Sequence, residues 1–150
     1  MEALKEMGEF TGIMEEMEIV YGKLRTELEL REHCMKNMKM LVLPVDGELL
    51  IDLDSKDIKT FRFDILKMLV CILNVTHRTC WRSQSKRWHI SIRTSIKDMS
   101  PELRSTLQGA LGSDPQREVL AMRSVIEGKG VPSCLFRPVG AEVFPLSDKL

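Results

Sequence analysis

Apolar side chains recur at alternating steps of four and three along the first quarter of the chain. The series runs Ala3, Met7, Phe10, Met14, Met17, Tyr21, Leu24, Leu28, then Met35 and Met38, with Arg31 interrupting it. Five heptads of this kind predict a coiled-coil-like helix over 1–38 that seeks a partner helix. A straight helix drifts by about 20° per heptad against a 3.5-residue repeat, so a stripe held to that period predicts supercoiling between chains. Leu4, Ile13 and Val20 widen the stripe in its first half, as in a helix packed in a bundle or on its own body. Gly8, Gly12 and Gly22 fall on the outward side, each costing about 1 kcal/mol of helix propensity relative to Ala. The order of such a helix depends on a partner.

Further along, the pattern changes period. Met38–Pro44 and Glu48–Leu53 flank Val45 and Asp46-Gly47, which predicts a β-hairpin, since Asp-Gly supplies the positive φ angles of a tight turn. From Thr60 to Val75 the spacing of Phe61, Ile65, Met68, Leu69, Ile72 and Val75 predicts a helix apolar around its circumference, hence buried and central. Trp88, Ile90 and Ile92 alternate with His89, Ser91 and Arg93, predicting a strand with one wet face, placed to pair with the hairpin. Ser100-Pro101 and Asp114-Pro115 mark two short helices, closed by Gly112 and Gly128. After Gly128 the chain is aperiodic and Pro/Gly-punctuated, yet keeps Leu135, Phe136, Val143, Phe144 and Leu146. The expectation is an α+β protein: an oligomerisation helix at 1–38, a compact body at 39–128, and an irregular tail at 129–150 that straps over the body or awaits a partner.

Charge adds a second asymmetry. The 22 basic and 22 acidic side chains cancel, but residues 1–33 hold nine acidic and four basic groups, leaving an acidic rod on a basic body. Cys34, Cys71, Cys80 and Cys134 are widely spaced and form no CxxC pair, which points to a reducing compartment, cytoplasm or nucleus. No stretch has the pattern of a signal peptide. The longest apolar run, Ile65–Val75, contains Lys67 and is too short to span a bilayer.

Residues 76–97 concentrate the positive charge. Arg78, Arg82, Lys86, Arg87, Arg93 and Lys97 occur there with Trp81 and Trp88 and without an acidic residue. Cations bind phosphates and indoles offer stacking faces, so this composition suits nucleic acid or an acidic protein segment. No reader motif accompanies it, and the alternative is a solvated strand face with both indoles turned inward.

Asp52 and Asp54, after the apolar Leu49–Ile51, resemble the DxD nucleophile site of haloacid-dehalogenase-type phosphatases. Lys56, however, stands where that family has Thr or Val. The run fails as a calcium loop as well, with Asp57 at the glycine position and Phe63 at the glutamate position. His77, Cys80 and His89 offer just one short ligand gap, which is not the spacing of a structural zinc site. Gly128-Lys129-Gly130 lacks the spacing of a phosphate loop.

No complete catalytic, metal or cofactor constellation is legible, and the expectation is a non-enzymatic scaffold or adaptor acting through protein–protein contact. Its partner would be a second copy or a helix-binding protein. The seam, methionine at five of its eleven positions, suits adaptable packing. The alternative is a nucleic-acid- or nucleoprotein-binding assembly protein using the 76–97 surface, similar in economy of size and charge segregation to small viral matrix and accessory proteins.

Overall fold

The computed structural model describes residue 20 and residues 24–150. The seam positions Met7, Phe10, Met14, Met17 and Tyr21 therefore lie outside the described residues. The elements are α1 (Glu27–Lys36), β1 (Lys39–Val42), β2 (Glu48–Asp52), α2 (Phe63–Ile72), β3 (His77–Arg82), β4 (Trp88–Arg93), α3 (Pro101–Ala110), α4 (Pro115–Glu127), β5 (Leu135–Pro138) and β6 (Val143–Pro145), with a 3-10 turn at Ile58–Thr60. Mixed helix and antiparallel sheet make this an α+β fold.

The predicted continuous helix does not run through to residue 38. Leu24 has φ 49°, a left-handed conformation that interrupts an α-helix and costs an L-residue about 1–2 kcal/mol. Thr26 then starts α1 afresh with a capping box: its hydroxyl accepts the Glu29 N–H at 3.2 Å, and its own N–H reaches Glu29 Oε1 at 3.1 Å. α1 buries Leu30 and Cys34 rather than the seam residues. With Val20 and Leu24 these pack on Ala121, Cys134 and Phe136 of the same chain. Leu24 thus belongs to the body's own core, and the seam is split in two.

The expected hairpin is also replaced. Asp46-Gly47 does turn, with the Glu48 N–H on the Val45 carbonyl at 3.0 Å and Gly47 at φ 77°. The two strands it joins belong to different sheets: β1 pairs antiparallel with β5, while β2 edges a four-stranded antiparallel sheet in the order β2-β4-β3-β6. The physical reason is what the turn touches. The Asp46 carboxylate accepts the N–H groups of Asp98 and Met99, and the Gly47 carbonyl accepts both the N–H and the hydroxyl of Thr94. The turn is docked on the chain after β4, and this swings β1 away from β2.

β5 and β6 come from the segment expected to be irregular, which straps over the body and supplies one strand to each sheet. α3 and α4 start as the sequence predicts. Ser100 and Asp114 accept N–H groups from Leu103 and Gln116, proline occupies the first turn of each, and Gly128 ends α4 at φ 65°.

The four-stranded sheet has two chemically different faces. Leu49, Ile51, Cys80, Trp88, Ile90 and Ile92 form an apolar face packed with Phe61, Leu66, Met99 and Leu111. The face expected to be wet, carrying His89 and Ser91, is buried beneath α3, α4 and the small sheet, leaving Arg93 as its exposed residue on β4. α2, expected to be central, lies at the surface of the apolar side: only Leu66 is buried, while Met68, Val70 and Ile72 are exposed.

Candidate interaction surfaces and the buried polar layer

β2 is an edge strand, and exposed edges invite unwanted pairing. Here the α3–α4 hairpin satisfies that edge. Gln108 Oε1 accepts the Leu50 N–H at 2.8 Å, and the Ser113 hydroxyl accepts the Asp52 N–H at 3.0 Å. Arg117 donates to the Leu50 carbonyl at 2.7 Å, Arg104 to the Glu48 carbonyl at 2.9 Å, and the Asp114 N–H to the Asp52 carbonyl at 2.8 Å. Glu118 closes the layer by accepting from Ser105, Gln108, Ser113 and Arg117. The edge N–H and C=O groups of β2 and the Glu118 carboxylate thereby gain partners, the condition under which burying them is tolerated. Sequence reasoning found the hairpin's caps and missed this layer. Gln108, Ser113, Arg117 and Glu118 look like surface residues of amphipathic helices until the strand edge they serve is known.

Asp52 and His89 face each other inside this layer, Oδ1 to Nε2 at 3.3 Å in a geometry that is not a hydrogen bond. His89 Nδ1 lies 3.0 Å from the Phe136 carbonyl oxygen. A carbonyl only accepts, so Nδ1 carries the proton. Both side chains are buried, and His89 links β4 to β5. Asp54 parts company with Asp52, standing exposed and paired with Arg87 at 3.0 Å. The two carboxylates resembling a phosphatase motif therefore do not converge. Burial and the nearby charges of Asp54 and Asp52 push the Asp114 carboxyl above its ordinary range.

His77, Cys80 and His89 do not converge either. The β3–β4 register places Cys80 opposite Ile90 on the apolar face, whereas His77 and His89 belong to the other. Burial pushes the Cys80 thiol up to about 11, the reverse of what a nucleophile or metal ligand requires. Among the described residues no group of three or more His, Cys, Asp or Glu is arranged to hold a metal ion.

The basic segment is divided by the same register. Trp81 and Trp88 are both buried, and the Trp81 indole donates to the Phe136 carbonyl at 3.3 Å, so neither ring offers a stacking face. Arg82 lies over the Trp88 ring at 4.0 Å and donates to the carbonyls of Lys56 and Lys86. With Arg87 held by Asp54, the β3–β4 turn keeps Lys86 as its outward cation. Arg93, Lys97 and Arg78 stand at the opposite end of the strands, about 17 Å away for a six-residue strand. Arg78 and Arg93 leave opposite faces of the sheet.

Two apolar surfaces remain open. Of the described seam residues, Leu28, Met35 and Met38 are 67%, 81% and 69% exposed, on α1 and at its C-terminal exit. The second is α2, where Phe63, Leu66, Val70, Leu146 and the cations Lys67 and Arg78 line an open groove of about 540 Å³. The periodicity of α2 was legible in the sequence, but its surface position was not. No helix among the described residues is long and apolar enough to cross a membrane. No family model matches the chain, and no curated protein or solved structure is similar to it at a significant level.

Proposed function

We propose that the protein is a non-enzymatic assembly or adaptor module acting through protein–protein contact, its first partner being a second copy of itself. One observation carries this reading: α1 is apolar on two sides. Leu30 and Cys34 serve the chain's own core, and Leu28 and Met35 are left in water, followed by Met38. Scattered apolar residues on a surface need no explanation, but Leu28 and Met35, one heptad apart on a helix already packed on its other side, suit a bridging helix. An RNA or DNA surface has less support, because the indoles that would stack on bases are interior and Arg82 and Arg87 already have partners.

The test is mass in solution, by light scattering over a concentration series, for the wild type and for Leu28→Glu with Met35→Glu. Both side chains are exposed, so the variant keeps its fold. The expected result is a concentration-dependent oligomer that the double substitution dissociates. A wild type that stays monomeric throughout the series overturns the reading.

A further inference from the structure

α2 is the most apolar helix among the described residues, yet it buries only Leu66 and half-buries Phe63, Ile65 and Leu69. The groove beside it is lined by α2, by the segment Leu146–Asp148 and by Arg78 of β3. Lys67 and Arg78 face it against the single carboxylate of Asp148, so its rim is positive. Its volume falls in the range that takes several side chains.

We infer that this groove receives residues 1–19 of a second copy, whose seam residues Met7, Phe10, Met14 and Met17 enter it while their glutamates meet Lys67 and Arg78. The inference rests on the assembly reading and names the contact that reading leaves open. Charge supports the choice: residues 1–19 carry six glutamates against Lys5 alone, complementary to the rim. Pattern supports it too, since an amphipathic helix laid in an apolar groove is anchored at spacings of three and four residues. The topology assigns the segment to another copy. Val20 and Leu24 are anchored among Ala121, Cys134 and Phe136, beyond the polar face of the four-stranded sheet, whereas α2 packs on its apolar face. From that anchor the segment of the same chain would have to pass around the sheet edge to reach its own groove. The break at Leu24 frees the two halves of the seam for different contacts.

Cys71 reports on the groove directly. It lines the cavity and is exposed, whereas Cys34, Cys80 and Cys134 are buried. Maleimide labelling of Cys71 in the full chain is measured over a concentration series, beside the mass in solution. The expected result is a labelling rate that drops about tenfold as the oligomer forms. Met7→Glu with Met14→Glu should keep Cys71 reactive at every concentration, and Val70→Glu on the groove side should weaken association to the same extent, with Trp81 and Trp88 fluorescence reporting an intact body. An oligomer in which Cys71 stays fully reactive overturns the groove assignment and leaves the assembly reading standing. Protection independent of concentration overturns the second copy as occupant, the segment then being the chain's own. A monomer with reactive Cys71 overturns both.

Discussion

The side-chain oxygen of Gln108 accepts the main-chain N–H of Leu50 at 2.8 Å, where a further strand would have supplied a backbone carbonyl. Gln108 is buried and its amide nitrogen donates to Glu118 at 2.9 Å, so both ends of the amide are used. Gln108→Leu orphans the buried Leu50 N–H, while Glu118 Oε1 keeps its bond from Ser105. The expected loss is about 1–3 kcal/mol for the one orphaned group, read as a lowered urea midpoint with an unchanged slope.

Arg117 is the cation on which the same layer depends. Its guanidinium contacts Glu118, the Leu50 and Cys134 carbonyls and the Ser133 hydroxyl. Arg117→Met strands the Glu118 carboxylate in the interior and should cost about 3–5 kcal/mol. Replacing both partners, Arg117→Met with Glu118→Leu, should recover part of that loss. Recovery stays partial because Ser105, Gln108 and Ser113 lose their common acceptor. A double-mutant cycle of urea unfolding measures the coupling.

Gly47 is where the expected hairpin is undone. A Cβ added there would lie 2.7 Å from the carbonyl oxygens of both Thr94 and Ile96, at a backbone φ of +77°. Gly47→Ala should therefore destabilise by more than the 1–3 kcal/mol of backbone strain alone, because main-chain atoms cannot swing aside. Thermal unfolding followed by circular dichroism checks this.

Two carboxylates predict opposite pH responses. Hydrogen bonds from the Met99 and Asp98 N–H groups hold Asp46 below its ordinary value. Its contribution is present above the unfolded-state value and lost as pH falls through the lower folded one. Asp114 is raised, chiefly by burial. Between 3.8 and its higher folded value the native state holds more protons than the unfolded chain, so stability falls as pH rises through that window. Asp114→Asn keeps an oxygen to cap α4 and should stabilise at neutral pH, the advantage fading as pH falls through that window and gone below 3.8. Asp46→Asn should instead flatten the acid limb. Unfolding midpoints of both variants from pH 3 to 7 provide the measurement.

What could be read in advance follows the range of the forces involved. The caps at Ser100 and Asp114, the αL glycine at 128 and the turn at Asp46-Gly47 are set by neighbours within four residues. They stand where the sequence puts them. The Thr26-x-x-Glu29 box is as local and was open to the same reading, but the heptad stripe running across it masked the break at Leu24. Of the candidate sites, Leu28 and Met35 are exposed on α1 and Met38 is exposed beyond its end, whereas the tryptophans of the basic segment turn inward because β3 and β4 pair on both sides and are covered on both faces.

Period and capping chemistry alone indicated helices near 63–72, 101–110 and 115–127 and strands on either side of residue 47 and at 88–93, and helix across 27–36 without the start at Thr26. Tertiary structure decided which strand pairs with which, which face of α1 is inside and why Gln108, Ser113, Arg117 and Glu118 are buried. The partners of β1 and β2 and the acceptors of these buried polar groups lie about 40 to 100 residues away along the chain. Hydrophobic spacing shows that a face must be covered and is silent on what covers it.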